Sequence, residues 1–176
     1  MDEKVKELGD CLVTCSDYLT KLGLPFTLFG GVLLGIIRDG TILPHDKDVD
    51  VAVLAEDLTP EIVEAIKGSP LFRAHNNGET EYGHFTLKEN KISFDIFVLY
   101  KKDNIRYMNP TGSSCLVFLA ECYEGPLGEI TYLDRRWKIP YKHVDYFKAM
   151  YGDGWKITEK SSNWHNAPCF KKWKDL

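Results

Sequence analysis

The stretch Phe26 to Leu54, FTLFGGVLLGIIRDGTILPHDKDVDVAVL, constrains this chain more than any other part of it. A short apolar run meets a glycine pair, Gly30 and Gly31. A small-residue helical pattern follows, and then aspartates at every second position: Asp46, Asp48 and Asp50. Asp48 to Leu54 reads as a strand, and alternate residues of a strand share a face, so Asp48 and Asp50 point to the same side. Beyond Asp50 the segment is apolar on both faces, which predicts a central place in a sheet. Two carboxylates on one strand edge beside a glycine turn suit a divalent cation and a phosphate.

A third carboxylate is expected from elsewhere in the fold. Asp95 stands inside the apolar strand pattern KISFDIFVLY. An ionised carboxylate among such neighbours is costly unless it is paired or bound to a metal, so a cation shared with Asp48 and Asp50 would resolve its burial. The aspartates at 46, 48 and 50 also match the start of an EF-hand loop. That loop needs glycine at its sixth position and glutamate at its twelfth; here those positions are Val51 and Asp57, which excludes it.

The residues around this trio admit several roles. Gly30 and Gly31 supply bare N–H groups at a helix N-terminus, where a phosphate is favoured, or they serve only turn geometry. Gly35, one turn on, would let the helix approach the sheet closely. Arg38 could reach a phosphate, clamp Asp46, or complement the helix C-terminus. His45 stands beside the acidic run, where it either touches substrate or sits solvated in a loop. If Glu89 and Asn90 form a two-residue hairpin turn, His84 falls opposite Asp95 on the same face. There it is either an orienting group or base, or an ordinary sheet histidine.

Periodicity predicts an amphipathic helix over residues 3–22, with Val5, Leu8, Leu12, Cys15 and Leu19 inward, stopped by Gly23 and Pro25. A short strand over 26–29 leads into a helix ending near Arg38. Thr59 caps a helix running to about Lys67, with Pro60 at its first position. Strands are expected at 81–88 and 91–100, and further ones at 105–109, 115–119 and 129–138. A helix follows at 141–151, then an aromatic, lysine-rich tail that packs on the core or covers a cleft. With no repeat or linker, the 176 residues predict one domain, 1–176.

Composition limits partners and compartment. A net charge of −4 shows no basic bias toward nucleic acid or an anionic membrane. Five cysteines without CxxC spacing predict a reduced protein, with Cys11 and Cys15 packing one helical turn apart. No signal peptide or membrane-spanning run is visible, so a cytoplasmic location is expected.

The segment GGVLLGIIRDGTILPHDKDVDVAV resembles the signature of the LicD family, which includes fukutin-related protein. The matching residues are Gly31, Leu33, Leu34, Gly35, Arg38, Pro44, Asp46, Asp48 and Asp50. FDIFVL around Asp95 is similar to the family's third-carboxylate strand. Pro140, Tyr151, Gly152 and Asp153 resemble its closing segment, while His45 stands where the family often has tryptophan. The resemblance implies an α+β, nucleotidyltransferase-like mixed sheet with helices packed against it. It also implies a metal-dependent transferase, with Mg2+ (or Mn2+) held by Asp48, Asp50 and Asp95. Such an enzyme moves a phosphocholine- or polyol-phosphate-type group from a CDP-linked donor to a sugar or glycan acceptor. Two other readings stay open: a nucleotidyltransferase attaching a nucleotide monophosphate to a protein, RNA or small molecule, and a catalytically silent nucleotide-binding module.

Overall fold

Helix α1, Glu3–Lys21, opens the fold. The Asp2 carboxylate caps it by accepting from Lys4 N–H, and Val5, Leu8, Leu12, Cys15 and Leu19 are buried, as the periodicity predicts. The computed structural model describes residues 2–74, 85–87, 92–108, 114–157 and 167–172. After α1 come β1 (Thr27–Leu28), α2 (Gly30–Asp39), β2 (Asp48–Leu54) and α3 (Pro60–Gly68). Thr59 caps α3 through its hydroxyl, and Pro60 opens the first turn. The short strands β3 (Phe72–Ala74) and β4 (Phe85–Leu87) pair antiparallel with each other. β5 (Ser93–Lys102), β6 (Ile105–Met108), β7 (Ser114–Leu119), β8 (Gly128–Tyr132), β9 (Arg135–Ile139), α4 (His143–Tyr151) and β10 (Phe170–Lys172) complete the order.

The principal sheet is mixed, in the order β1-β2-β5-β6-β7-β10. β2 runs antiparallel to β1 and parallel to β5, so it is central as expected. The parallel pairing is made possible by the long connection through α3, β3 and β4. The 129–138 segment differs from the sequence reading. It is a hairpin, β8 to β9, turned by Leu133 and Asp134, both at positive φ. The tail contributes β10, an antiparallel edge strand on β7. It also contributes Trp155, buried and 4.6 Å from the Phe147 ring centroid. Packing is therefore what the described part of the tail does; Trp164 and Trp173 lie outside the described residues, as do the 89–90 turn and His84.

Register assigns the two faces. Asp48, Asp50, Ala52 and Leu54 share one face of β2. Because Asp50 is the Cα partner of Asp95, and Ala52 of Phe97, Asp95, Phe97 and Leu99 lie on that face too. Continuing through β6 and β7 places Arg106 and Phe118 there. Aromatic rings fill its centre: Phe29 lies 5.4 Å from Phe97 and 5.4 Å from Tyr146, and Tyr146 lies 5.3 Å from Phe118. Helix α4 is thus docked on the face that carries the carboxylates. The opposite face presents Val49, Val51, Val53, Phe94, Ile96 and Val98, all buried in one core with the apolar stripe of α1. The five cysteines are free thiols and buried. Among the described residues, no helix is long and apolar enough to cross a membrane.

Candidate functional site

Three of the predicted residues converge. Carboxylate oxygens of Asp48, Asp50 and Asp95 lie within 4.8 Å of one another. The cause is the parallel β2–β5 register, which sets Asp50 beside Asp95, with Asp48 two residues earlier on the same face. Like charges so placed in a partly buried site repel strongly. Burial, first of all, and then the charges of Asp48, Asp95 and Asp46 push Asp50 well above the usual carboxylate range; a backbone hydrogen bond from Gly31 works against them. Asp46 is pushed up to about 6, mainly by burial. A divalent cation would neutralise this cluster, and an all-oxygen donor set suits magnesium or manganese. The residues present fit such an ion.

The glycine pair shapes the other wall. Gly30 has φ +55°, and a Cβ there would lie 3.2 Å from Asp50 Cγ. At Gly31 a Cβ would lie 2.5 Å from an Asp46 carboxylate oxygen. Only glycine at both positions lets the two carboxylates approach the backbone. The turn's own N–H groups are engaged: Phe29 N–H donates to the Asp50 carbonyl at 3.1 Å, Gly30 N–H to the Tyr146 hydroxyl at 3.0 Å, and Gly31 N–H to the Asp50 side chain. Gly35 acts differently from the sequence expectation. Its missing side chain admits the following loop rather than the sheet, since a Cβ would sit 2.6 Å from the Thr41 carbonyl oxygen.

Arg38 forms a bidentate pair with Asp39, at 2.9 and 2.8 Å, instead of clamping Asp46. Adjacency on the chain makes Asp39 the nearer carboxylate. His45 is exposed in the loop before β2, with its charge felt at Asp46. Two residues now join the neighbourhood that their side chains alone did not assign to it. Tyr146 hydrogen-bonds the glycine turn. Tyr151 has its hydroxyl raised above the ordinary phenol range, first by burial and then by Asp50 and Asp46. Both sit on an amphipathic helix, where a tyrosine reads as core; the α4 docking that brings Tyr146 to the glycine turn and Tyr151 within the field of Asp50 and Asp46 is a tertiary fact.

Residues 23–142 match the family described as LicD/FKTN/FKRP, nucleotidyltransferase domain. The chain belongs to that family. It is 31% identical to the mouse protein named ribitol-5-phosphate transferase FKTN over 167 residues, which cover 93% of this chain and 36% of that one. The human protein of the same name is 28% identical over 169 residues, with the same shares covered. The chain therefore spans about a third of the length of these relatives. Among solved structures, the lincomycin-bound lincosamide antibiotic adenylyltransferase LnuA superposes with a TM-score of 0.51 at 20% identity, covering 84% of this chain and 87% of that one. The LicD-type assignment and the α+β nucleotidyltransferase-like fold both stand as the sequence implied.

Proposed function

We propose that this chain is the transferase domain of a divalent-metal-dependent enzyme. It moves a phosphorylated small group, of the polyol-phosphate or phosphocholine type, from a CDP-linked donor to a sugar or glycan hydroxyl. The observation that carries the reading is the trio Asp48, Asp50 and Asp95 within 4.8 Å beside a glycine turn. Membership of a family whose relatives include ribitol-5-phosphate transferases supports the class of group transferred.

In this reading Asp48, Asp50 and Asp95 hold magnesium or manganese, which would neutralise the diphosphate and stabilise charge on the transferring phosphorus. Asp95 accepts the proton of the acceptor hydroxyl. The hydroxyl oxygen forms a bond to the phosphorus that bears the small group, the bond from that phosphorus to the bridging oxygen breaks, and CMP leaves. Gly30 and Gly31 form the wall against which Asp50 and Asp46 rest, their N–H groups being engaged within the fold, and Arg38, His45, Asp46 and His84 are assigned to substrate. The test is to supply CDP-linked polyols, CDP-choline, CTP and ATP with magnesium and a glycan acceptor, and to weigh the product. Addition of the phosphorylated small group, abolished by chelation, is expected. Addition of a nucleotide monophosphate would assign the chain to nucleotidyl transfer. Nucleotide binding without turnover would assign it to a binding module.

A further inference from the structure

The glycine turn is held from one side by a residue outside the segment that matches the family. Tyr146, in α4, lies beyond residue 142, its side chain is wholly buried, and its hydroxyl accepts from Gly30 N–H at 3.0 Å. Its ring is fixed among aromatic neighbours, 5.4 Å from Phe29, 5.3 Å from Phe118 and 5.6 Å from Phe147. Burial holds the phenol well above its ordinary pKa, so it stays a neutral hydroxyl able to accept from an N–H.

Three consecutive N–H groups therefore tie two elements together. Phe29 and Gly31 bond to Asp50, while Gly30 between them bonds to α4. Gly30 is also the residue at φ +55° whose missing Cβ leaves room for the Asp50 carboxylate. A rotation of the peptide that carries Gly30 N–H would change the wall against which Asp50 rests. The Tyr146 hydroxyl opposes that rotation.

We propose that Tyr146 is a positioning residue for the metal centre, fixing the Gly30 turn and, through it, the seat of the Asp50 carboxylate. The inference rests on the metal centre proposed above. Groups that orient a metal ligand, when removed, typically weaken metal affinity by about 10- to 100-fold. Tyr146→Phe keeps the ring and deletes the acceptor. Phe147→Leu disturbs packing on the same helix without touching a polar atom. Titrating magnesium and manganese by calorimetry should show Tyr146→Phe binding at least about tenfold more weakly. Phe147→Leu should bind within about twofold of wild type, a margin well under 1 kcal/mol, even where it melts lower. Equal affinity in wild type and Tyr146→Phe overturns the inference while leaving the metal centre intact. A wild-type protein that binds neither ion overturns both. Should Tyr146→Phe not fold, the Gly30 amide decides. Slow hydrogen exchange together with a resonance shift on adding magnesium is expected, and fast exchange in the wild type would sink the proposal.

Discussion

Replacing Gly30 with alanine tests the geometry of the carboxylate cluster without reference to any activity. Two costs act at this position. The left-handed φ of +55° costs a non-glycine residue about 1–2 kcal/mol. The new methyl would also lie 3.2 Å from Asp50 Cγ and 3.3 Å from Asp50 Cβ, an overpacking worth about 1–3 kcal/mol. Gly40 supplies the control, because its φ is +74° and nothing lies within 4 Å of a Cβ there. Gly40→Ala should therefore cost only the conformational part, about 1–2 kcal/mol, and Gly30→Ala about 2–5 kcal/mol. Urea denaturation measures both. A cycle with Asp50→Ala isolates the clash: the double variant should be more stable than the sum of its parts by about 1 kcal/mol or more. The coupling stays below the full clash because Cβ persists at residue 50. If Gly30→Ala costs no more than Gly40→Ala and the cycle shows no coupling, the Asp50 carboxylate does not rest against this turn and the site geometry is wrong.

Other expectations concern the charges. Magnesium at a hundred times its dissociation constant should stabilise the protein by about 2.7 kcal/mol, a rise in melting temperature of roughly 5–10 °C for a chain of this size; Asp48→Asn should lose both this rise and turnover, which scanning calorimetry and the product assay read. In chelator, Asp46 titrates near 6 in the folded protein against an ordinary value of 3.8. A raised carboxylate binds more protons folded than unfolded, so its contribution to stability falls as pH rises from about 4 to 6 and is level above that. Urea denaturation of wild type and Asp46→Asn across that window should show the difference, and a flat difference would refute the burial assigned to Asp46. Arg106, with its side chain 3% exposed, pairs with Glu56 at 2.7 and 2.5 Å. Glu56→Ala should destabilise by about 1.5–3 kcal/mol, the worth of one hydrogen bond to a charged group rather than two, because it leaves a guanidinium buried without that partner while the Glu56 carboxylate is itself half-exposed; thermal melts comparing it with Glu64→Ala on the surface of α3 check this.

The carboxylate trio was legible because its pattern has period two. Asp48 and Asp50 lie on one face by strand geometry alone, and Asp95 amid apolar neighbours demanded a cation or partner. What the pattern could not supply was the pairing of β2 with β5, which brings Asp95 to Asp50 rather than to the wrong face; a slip of one residue would have turned it away. Local signals served helices α1 and α3 well, through caps and an apolar stripe. They served the 129–138 segment poorly. Leu133 and Asp134 adopt positive φ, and the turn lacks the glycine that most often marks a tight hairpin. Arg38 shows a different limit. Its position on α2 was readable, but the choice between Asp39 and Asp46 depended on side-chain reach, and the adjacent carboxylate won.

The glycine pair carries more than a phosphate cradle needs. A bare anion site asks only for free N–H groups at a helix start. Here the turn's three N–H groups are engaged within the fold, and the absent side chains of Gly30 and Gly31 are occupied by the carboxylates of Asp50 and Asp46. The turn therefore gathers four carboxyls, those of Asp46, Asp48, Asp50 and Asp95, into one corner of the sheet, where burial first and then the neighbouring charges raise the titration of Asp50, and burial above all that of Asp46. A fold selected for stability alone would relieve that repulsion with a single amide. Asp50→Asn should do so, making the metal-free protein more stable while removing its response to magnesium. Calorimetric melts of wild type and variant, in chelator and in magnesium, separate the two effects. A variant that is destabilised in chelator would mean that the corner is not strained by its charges, and that the case for a resident cation has lost its physical ground.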